Sequence, residues 1–283
     1  MSQPVSDRVW LITGCSTGIG REIARVVLAR GERAAVTARK PDAVADLVEA
    51  HPQRALALAL DVTDRAQIQA AVAATERTFG AIDVLVNNAG YGYMAALEEG
   101  EDAEVRRLFD TNYFGVVDLI KAVLPGMRAR KQGHVINMSS MTGLVTNPPN
   151  IYYSCTKYAL EALTEGLAKE VAPFGVRVTA IEPGGFRTDW ATRSMTESAM
   201  PMPEYAQTVG ARKQLIKLAG DKLPGDPRRI ADAVLMVADL AEPPLHLLLG
   251  HDVLAAFRQK LADWQANIEK WESVTRDVNF RDA

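Results

Sequence analysis

The chain has 283 residues and is 48% hydrophobic, enough to bury the core of one large α/β domain or two small ones. Its 32 Lys and Arg against 35 Asp and Glu leave a net charge of -3, with no basic excess to draw nucleic acid or an anionic membrane. No run of about 18 apolar residues could span a bilayer, and "MSQPVSDRVWLITG" lacks the basic start and apolar stretch of a signal peptide. The two cysteines and four histidines show no metal-ligand spacing. A cytoplasmic protein without metal or disulfide is expected.

Along the chain, short β-rich runs alternate with longer helical ones. "VWLITG" is followed by a helix from about Ile19 to Ala29, then by "RAAVTA", "ALALALDV" and "IDVLVNNAG". A long helix between about Ala103 and Lys131 precedes "GHVINMSS", a helix around Tyr153, "GVRVTAIEPGG" and "PLHLLLG". This βαβ rhythm predicts a single α/β domain over residues 1–283, a doubly wound seven-stranded parallel sheet with helices on both faces. Residues 187–227 break the rhythm with Thr, Ser, Met and Pro ("MTESAMPMPEY"); so long an insert in a compact domain is functional or disordered, and it is taken as a lid. A helical extension covers about 252–275.

Two local patterns carry chemistry. The first strand ends in "TGCSTGIG", which places Gly14, Gly18 and Gly20 before a helix start. Bare backbone there lets a pyrophosphate reach exposed N–H groups, although tight packing alone would also use glycine. In "NIYYSCTKYALEAL", residues four apart on a helix share a face, so Tyr153 meets Lys157 while Tyr152 points elsewhere. A positive charge beside a phenol favours its ionised form and suits it to proton transfer.

With "NNAG" (Asn87 to Gly90) closing the fourth strand and Ser140, Tyr153 and Lys157 downstream in order, the chain resembles the short-chain dehydrogenase/reductase family over roughly residues 7 to 250. The resemblance implies a Rossmann-type domain that binds a nicotinamide dinucleotide. Thr13, Gly14, Ser16, Thr17, Gly18, Ile19 and Gly20 would hold the pyrophosphate, and Asp61 and Val62 would lie beside the adenine. Asn88, Ala89 and Gly90 would line the groove, and "PGGFRTD" would meet the nicotinamide through Pro183, Gly184, Phe186 and Thr188. The implied catalytic set is Asn112, Ser140, Tyr153 and Lys157, with Asn112 interrupting the long helix and holding a relay water, and with Tyr153 and Lys157 also touching the cofactor. Ser139, the neighbouring serine, should face away. The second strand ends "AAVTARK", where Ala38 stands in place of an acidic ribose ligand and Arg39 follows; this favours NADP over NAD.

The regions that line the pocket in relatives are apolar: Tyr91, Tyr93 and Met94 after "NNAG", Met141, Leu144 and Val145 after Ser140, and Trp190, Met195, Met200, Met202 and Tyr205 in the lid. A hydrophobic ketone or secondary alcohol is the expected substrate. The motifs look most like the hydroxysteroid, retinol and carbonyl reductase branch. An NAD-dependent alcohol dehydrogenase and a non-catalytic dinucleotide-binding regulator are the alternatives. Relatives commonly form homodimers or homotetramers through the helices carrying Asn112 and Tyr153. In the tail, Leu254, Phe257, Leu261, Trp264, Ile268 and Trp271 recur at spacings of three and four, an amphipathic stripe. Its simplest fate is to fold back onto the domain, and the alternative is a subunit contact; either one buries Trp264.

Overall fold

The computed structural model describes residues 7–187, 193–219 and 222–280. Seven strands form one sheet in the order β3-β2-β1-β4-β6-β7-β9: β1 (Val9–Ile12), β2 (Arg33–Ala38), β3 (Ala55–Ala59), β4 (Val84–Asn87), β6 (Gly133–Met138), β7 (Val176–Pro183) and β9 (His246–Leu249). Every pairing is parallel. Sequence expectation and structure agree on this architecture, a Rossmann-like sheet layered between helices.

The strands read as nearly continuous apolar runs because both faces are covered. Along β1 the side chains alternate: Trp10 and Ile12 join one core cluster, and Leu11 joins the other. The first cluster packs under α1 (Gly18–Ala29) and α8 (Pro227–Asp239). The second lies under α3 (Arg65–Phe79), α5 (Gly115–Arg130) and α6 (Ile151–Val171). Short α2 (Ala45–Ala50) borders β3. The long helix expected between Ala103 and Lys131 is α4 (Asp102–Phe109) running into α5 through one π-helical turn, Asp110–Phe114.

A second, two-stranded sheet was not legible in the sequence. Gly92–Met94 (β5) pairs in parallel with Met195–Glu197 (β8); three residues per strand are too few to set up a periodic signal. This pairing pins the lid to the segment after β4. The pin is reinforced by the buried ion pair of Lys213, on α7 (Ala211–Ala219), with Glu99 at 3.4 Å, and by Glu99 Oε1 accepting the Met202 N–H at 2.9 Å. Tyr93 and Met94 are buried, and Tyr93 packs against Tyr152 with its hydroxyl on Glu101. Met195 is buried, whereas Met200 is 54% exposed and so does not line the interior. Trp190 and Thr188 lie outside the described residues.

The tail forms α9 (His251–Asp277), but Trp264 is 62% exposed on the single chain, against the expectation that the stripe folds back onto its own domain. Among the described residues, hydrogen bonds with the body hold the first part of the helix. Asp252 Oδ2 accepts the Gly185 N–H at 2.6 Å, and Lys260 Nζ reaches the Tyr158 hydroxyl at 2.6 Å and the Leu144 carbonyl. From Leu261 on, every described residue is exposed.

Glu99→Ala would leave Lys213 buried without its counter-charge, which costs roughly 3–5 kcal/mol. Urea unfolding should show that loss, and limited proteolysis should cut earlier within residues 194–213. Wild-type behaviour in both measurements would remove this ion pair from the role of fastening the lid.

Candidate active site

The sheet order reverses between β1 and β4, and the crevice beyond their C-terminal ends is where open α/β sheets bind ligands. Its two lips are tied together. Thr13 Oγ1 accepts the N–H groups of Asn88 and Ala89, both at 2.9 Å. Asn88 Nδ2 donates to the carbonyls of Thr13 at 2.8 Å and Gly14 at 3.2 Å. This brings Asn88 so near α1 that a Cβ on Gly20 would lie 2.3 Å from its amide nitrogen. Gly14 and Gly18 have φ of +71° and +62°, the left-handed region that disfavours residues with a Cβ. Space above Gly18 is open to 4 Å.

The N-cap of α1, Thr17, makes no side-chain cap, and the first turn holds no acidic residue. Its N–H groups are thus left for an outside acceptor, with no carboxylate to repel a phosphate. These residues fit a dinucleotide pyrophosphate. Ser16 on the loop and Ile19 in the first turn of α1 are half-buried, and Ile19 packs against the core. Cys15 is fully buried; burial pushes its thiol up to about 12, which makes it an inert packing group.

Around this cradle stand the other expected cofactor residues. Arg39 and Lys40 project into solvent from the end of β2, and the Arg39 guanidinium makes no hydrogen bond or ion pair among the described residues. Arg21, by contrast, is bound to Asp46 and the Ala43 carbonyl. Asp61 closes a turn by accepting from Thr63 N and Oγ1 at 2.9 and 2.7 Å, and the carbonyl of buried Val62 lies against Gly115. Pro183 ends β7. Gly184 N donates to the Leu249 carbonyl at 2.9 Å, and a Cβ on Gly184 would collide with Asp252 at 2.0 Å. Phe186 bridges to Gly225.

The helix α6 answers which tyrosine faces the crevice. Tyr153 is 6% exposed and its hydroxyl is hydrogen-bonded with Ser140, whereas the Tyr152 hydroxyl donates to the Leu97 carbonyl at 2.5 Å. Lys157, one turn on, lies with Nζ 5.6 Å from the Tyr153 ring centre and donates to the Met138 carbonyl at 2.7 Å. Burial pushes the Tyr153 phenol well above its ordinary value, partly offset by Ser140. Burial also pushes Lys157 down to about 8, opposed by the charge of Glu161.

Ser140 caps the short turn Met141–Gly143 by accepting the Thr142 N–H at 3.1 Å. Asn112 sits in the π turn. Its side chain accepts the Tyr91 N–H at 3.1 Å and donates to the Tyr91 carbonyl at 2.8 Å and to Thr156 Oγ1 at 3.2 Å. It therefore braces Gly90 and Tyr91 against α6. The fold brings Asn112, Ser140, Tyr153 and Lys157 to one end of the sheet beside the glycine loop.

One cluster escaped the sequence reading. Ser139 does face away from the crevice, and its hydroxyl donates to Glu161. Glu161 in turn adjoins buried Glu182 and His246, whose Nδ1 lies 2.7 Å from Glu182 Oε1 and 3.3 Å from Glu161 Oε2. The three residues come from α6, β7 and β9, with sequence separations too large for any spacing motif, although their ligand atoms lie within 4.8 Å of one another. Burial pushes both carboxyls up to about 7, because loss of water disfavours the charged form, and for Glu161 the charge of Glu182 adds to that. Between 4.5 and 7 the folded chain holds more protons than the unfolded chain, so stability falls as pH rises through that window. Glu182→Gln, neutral throughout, should flatten the decline by on the order of 2 kcal/mol. Melting temperatures of both proteins at pH 5 and pH 8 test this, and parallel curves would refute it.

Comparison with known proteins places this geometry in a family. The family model "short chain dehydrogenase" matches residues 8–199. The chain is 39% identical over 269 residues to "Oxidoreductase BOA17" of Botryotinia fuckeliana, covering 95% of this chain and 98% of that protein. A short-chain dehydrogenase structure from Streptomyces avermitilis superposes with a TM-score of 0.92 at 42% identity, covering 97% of this chain and all of the other. A metagenomic short-chain oxidoreductase solved with NADP superposes at 0.69 with 27% identity, covering 87% and 97%. Bound nicotinamide dinucleotide in such neighbours accords with the glycine cradle. The chain belongs to the short-chain dehydrogenase/reductase family and is an NAD(P)-dependent oxidoreductase.

Proposed function

We propose that the protein transfers hydride between NADP(H) and a hydrophobic ketone or secondary alcohol, with Tyr153 as the acid/base. The observation that carries this reading is the buried Tyr153 hydroxyl, bonded with Ser140 and flanked by Lys157, at the end of the sheet where the glycine loop opens. The nicotinamide, when bound, supplies or takes up the hydride. A carbonyl oxygen gaining negative charge needs a hydrogen-bond donor and then a proton. Ser140 Oγ is the donor and Tyr153 the proton source; its raised pKa keeps the phenol protonated for reduction. Lys157 provides the positive charge that favours phenolate for the reverse direction. The Asn112 side chain is committed to Tyr91 and Thr156, and the family resemblance gives this residue the holding of a relay water.

Gly14, Gly18 and Gly20, with Ser16, Thr17 and Ile19, take the pyrophosphate. Asp61 and Val62 flank the adenine, Asn88 to Gly90 line the groove, and Pro183, Gly184 and Phe186 meet the nicotinamide. Arg39, exposed beyond Ala38, favours the 2′-phosphate of NADP over the bare ribose of NAD. Half-buried Tyr91, Met141, Leu144 and Val145 beside the crevice support an apolar substrate. The exposed side chains of Phe114, at the end of the π turn before α5, and Tyr158, on α6, suit a homodimer or homotetramer built on these helices. The free cysteines accord with a cytoplasmic setting, and among the described residues no helix is long and apolar enough to cross a membrane.

Tyr153→Phe should lower turnover by roughly 10²- to 10⁴-fold while coenzyme binding persists, and Tyr152→Phe should do far less. A panel of ketones and alcohols followed by nicotinamide absorbance supplies the assay. Equal damage from the two changes, or no turnover across the panel by wild type, would defeat the assignment.

For the coenzyme, charge-assisted bonds from Arg39 to a 2′-phosphate are worth about 1.5–3 kcal/mol, roughly ten- to hundredfold in affinity. The ratio of kcat/KM for NADPH over NADH should therefore drop by that factor in Arg39→Ala. An unaltered ratio would take Arg39 out of coenzyme selection.

A further inference from the structure

The 17 residues from Leu261 to Asp277 continue α9 for about 25 Å with no described residue buried. Leu261, Trp264, Ile268 and Trp271 are 51, 62, 58 and 50% exposed. A helix of this length is marginal in water on its own, and four large apolar side chains along one stripe need a cover. Among the described residues the body of the same chain does not supply it: its hydrogen bonds to α9 run from Asp252 to Lys260, and every residue from Leu261 on is exposed. A lipid surface is a poor match: Arg258, Lys260, Lys270 and Arg276 are balanced by Asp263, Glu269, Glu272 and Asp277, with none of the cationic excess that draws a helix to anionic lipid.

A second copy of this chain is a good match. The intervals of three and four place Leu254, Leu261 and Ile268 at heptad positions a, and Phe257, Trp264 and Trp271 at d. Positions e are then Arg258, Gln265 and Glu272, and positions g begin with Lys260 and Asn267. In an antiparallel pair, e faces e and g faces g. With a two-fold axis at Ala266, Leu261 stacks on Trp271 of the partner subunit and Trp264 on Ile268 of the partner subunit. Arg258 then meets Glu272 of the partner subunit, twice by symmetry. A parallel pair would oppose g to e, setting Lys260 against Gln265 and Asn267 against Glu272, with no pair of opposite charges. The charge pattern therefore favours the antiparallel orientation, in which Glu272 exchanges the bond it makes to Arg276 on its own helix at 2.6 Å for Arg258 of the partner subunit.

We propose that α9 is a self-complementary docking helix that pairs antiparallel with α9 of a second copy, over the stripe from Leu261 to Trp271. The contact is isologous and closed, so it ends at two copies. It is separate from any association through α5 and α6. It also bears on the site, since the first turn of the paired helix carries Asp252, which holds Gly185, and the helix passes Lys260, which holds the Leu144 carbonyl after Ser140. A partner that fixes α9 thereby steadies two loops beside the crevice.

The test uses full-length protein with Cys155→Ser, which removes the exposed thiol, and with Gln265→Cys, which puts one thiol beside the axis. A short bis-maleimide should yield covalent dimer. Arg258→Glu or Glu272→Arg alone should slow that reaction by up to roughly thirtyfold, since each exposed pair is counted twice. The double exchange should restore it. Circular dichroism confirms that each variant is folded. Absence of covalent dimer in the parent, or no restoration by the double exchange, overturns the proposal. So does binding of α9 to anionic phospholipid vesicles in place of dimer, which would make lipid the occupant.

Discussion

Thr13 and Asn88 hold the two lips of the crevice at a fixed separation, and the rest of the site is arranged around that clasp. Four hydrogen bonds of 2.8 to 3.2 Å cross between the ends of β1 and β4. The chain departs from these strands in opposite directions, so without cross-links the junction would be free to splay. Drawing the strands together brings Asn88 over the start of α1, where only a glycine fits at position 20. The same closeness keeps the backbone of the glycine loop bare, which the approach of an anion requires. Packing at the switch point and chemistry at the cradle are thus one constraint seen from two sides.

The helix α6 distributes that rigidity to the rest of the site. Each step of four residues advances the facing direction by only about 40°, so Tyr153, Lys157 and Glu161 form a single file along it. Tyr153 faces Ser140, Lys157 faces the Met138 carbonyl, and Glu161 faces Ser139. Adjacent serines at the end of β6 are therefore served by the same helix at different depths, one in the crevice and one behind it. Tyr152, one residue out of file, spends its ring on Tyr93 and its hydroxyl on Leu97. The π turn at Asp110–Phe114 fits the same scheme: an extra residue in a helix shifts the face that follows, and here it turns Asn112 inward to brace Tyr91 against α6.

What could be read from the sequence was whatever depended on local order. The seven strands announce themselves because parallel strands buried on both faces are apolar throughout, and Tyr153 with Lys157 announces itself because four residues is a helical repeat. The β5–β8 sheet stayed hidden because each strand has three residues. The Glu161, Glu182 and His246 cluster stayed hidden because it depends on β7 pairing with β9, where Ala180 aligns with His246 and Glu182 with Leu248. Nothing in the order of residues says which strand lies beside which at that edge. The tail shows the same limit: periodicity fixes which face of α9 is apolar and leaves open what that face meets.

The buried groups around Lys157 are best understood together. Burial drives the Tyr153 phenol up and the Lys157 ammonium down to about 8, so it works against both charged partners of the pair. Glu161 opposes this, since its negative charge raises Lys157, but Glu161 shares its own burial with Glu182 and holds a proton up to about 7. As pH climbs through 7 the carboxyl pair gains negative charge while Lys157 approaches the point of losing its proton. The two changes oppose each other: the growing charge on Glu161 helps keep Lys157 protonated just where burial would discharge it. A carboxyl pair that costs stability behind the crevice thereby sustains the cation beside Tyr153, the charge that the proposed acid/base role of the phenol calls on.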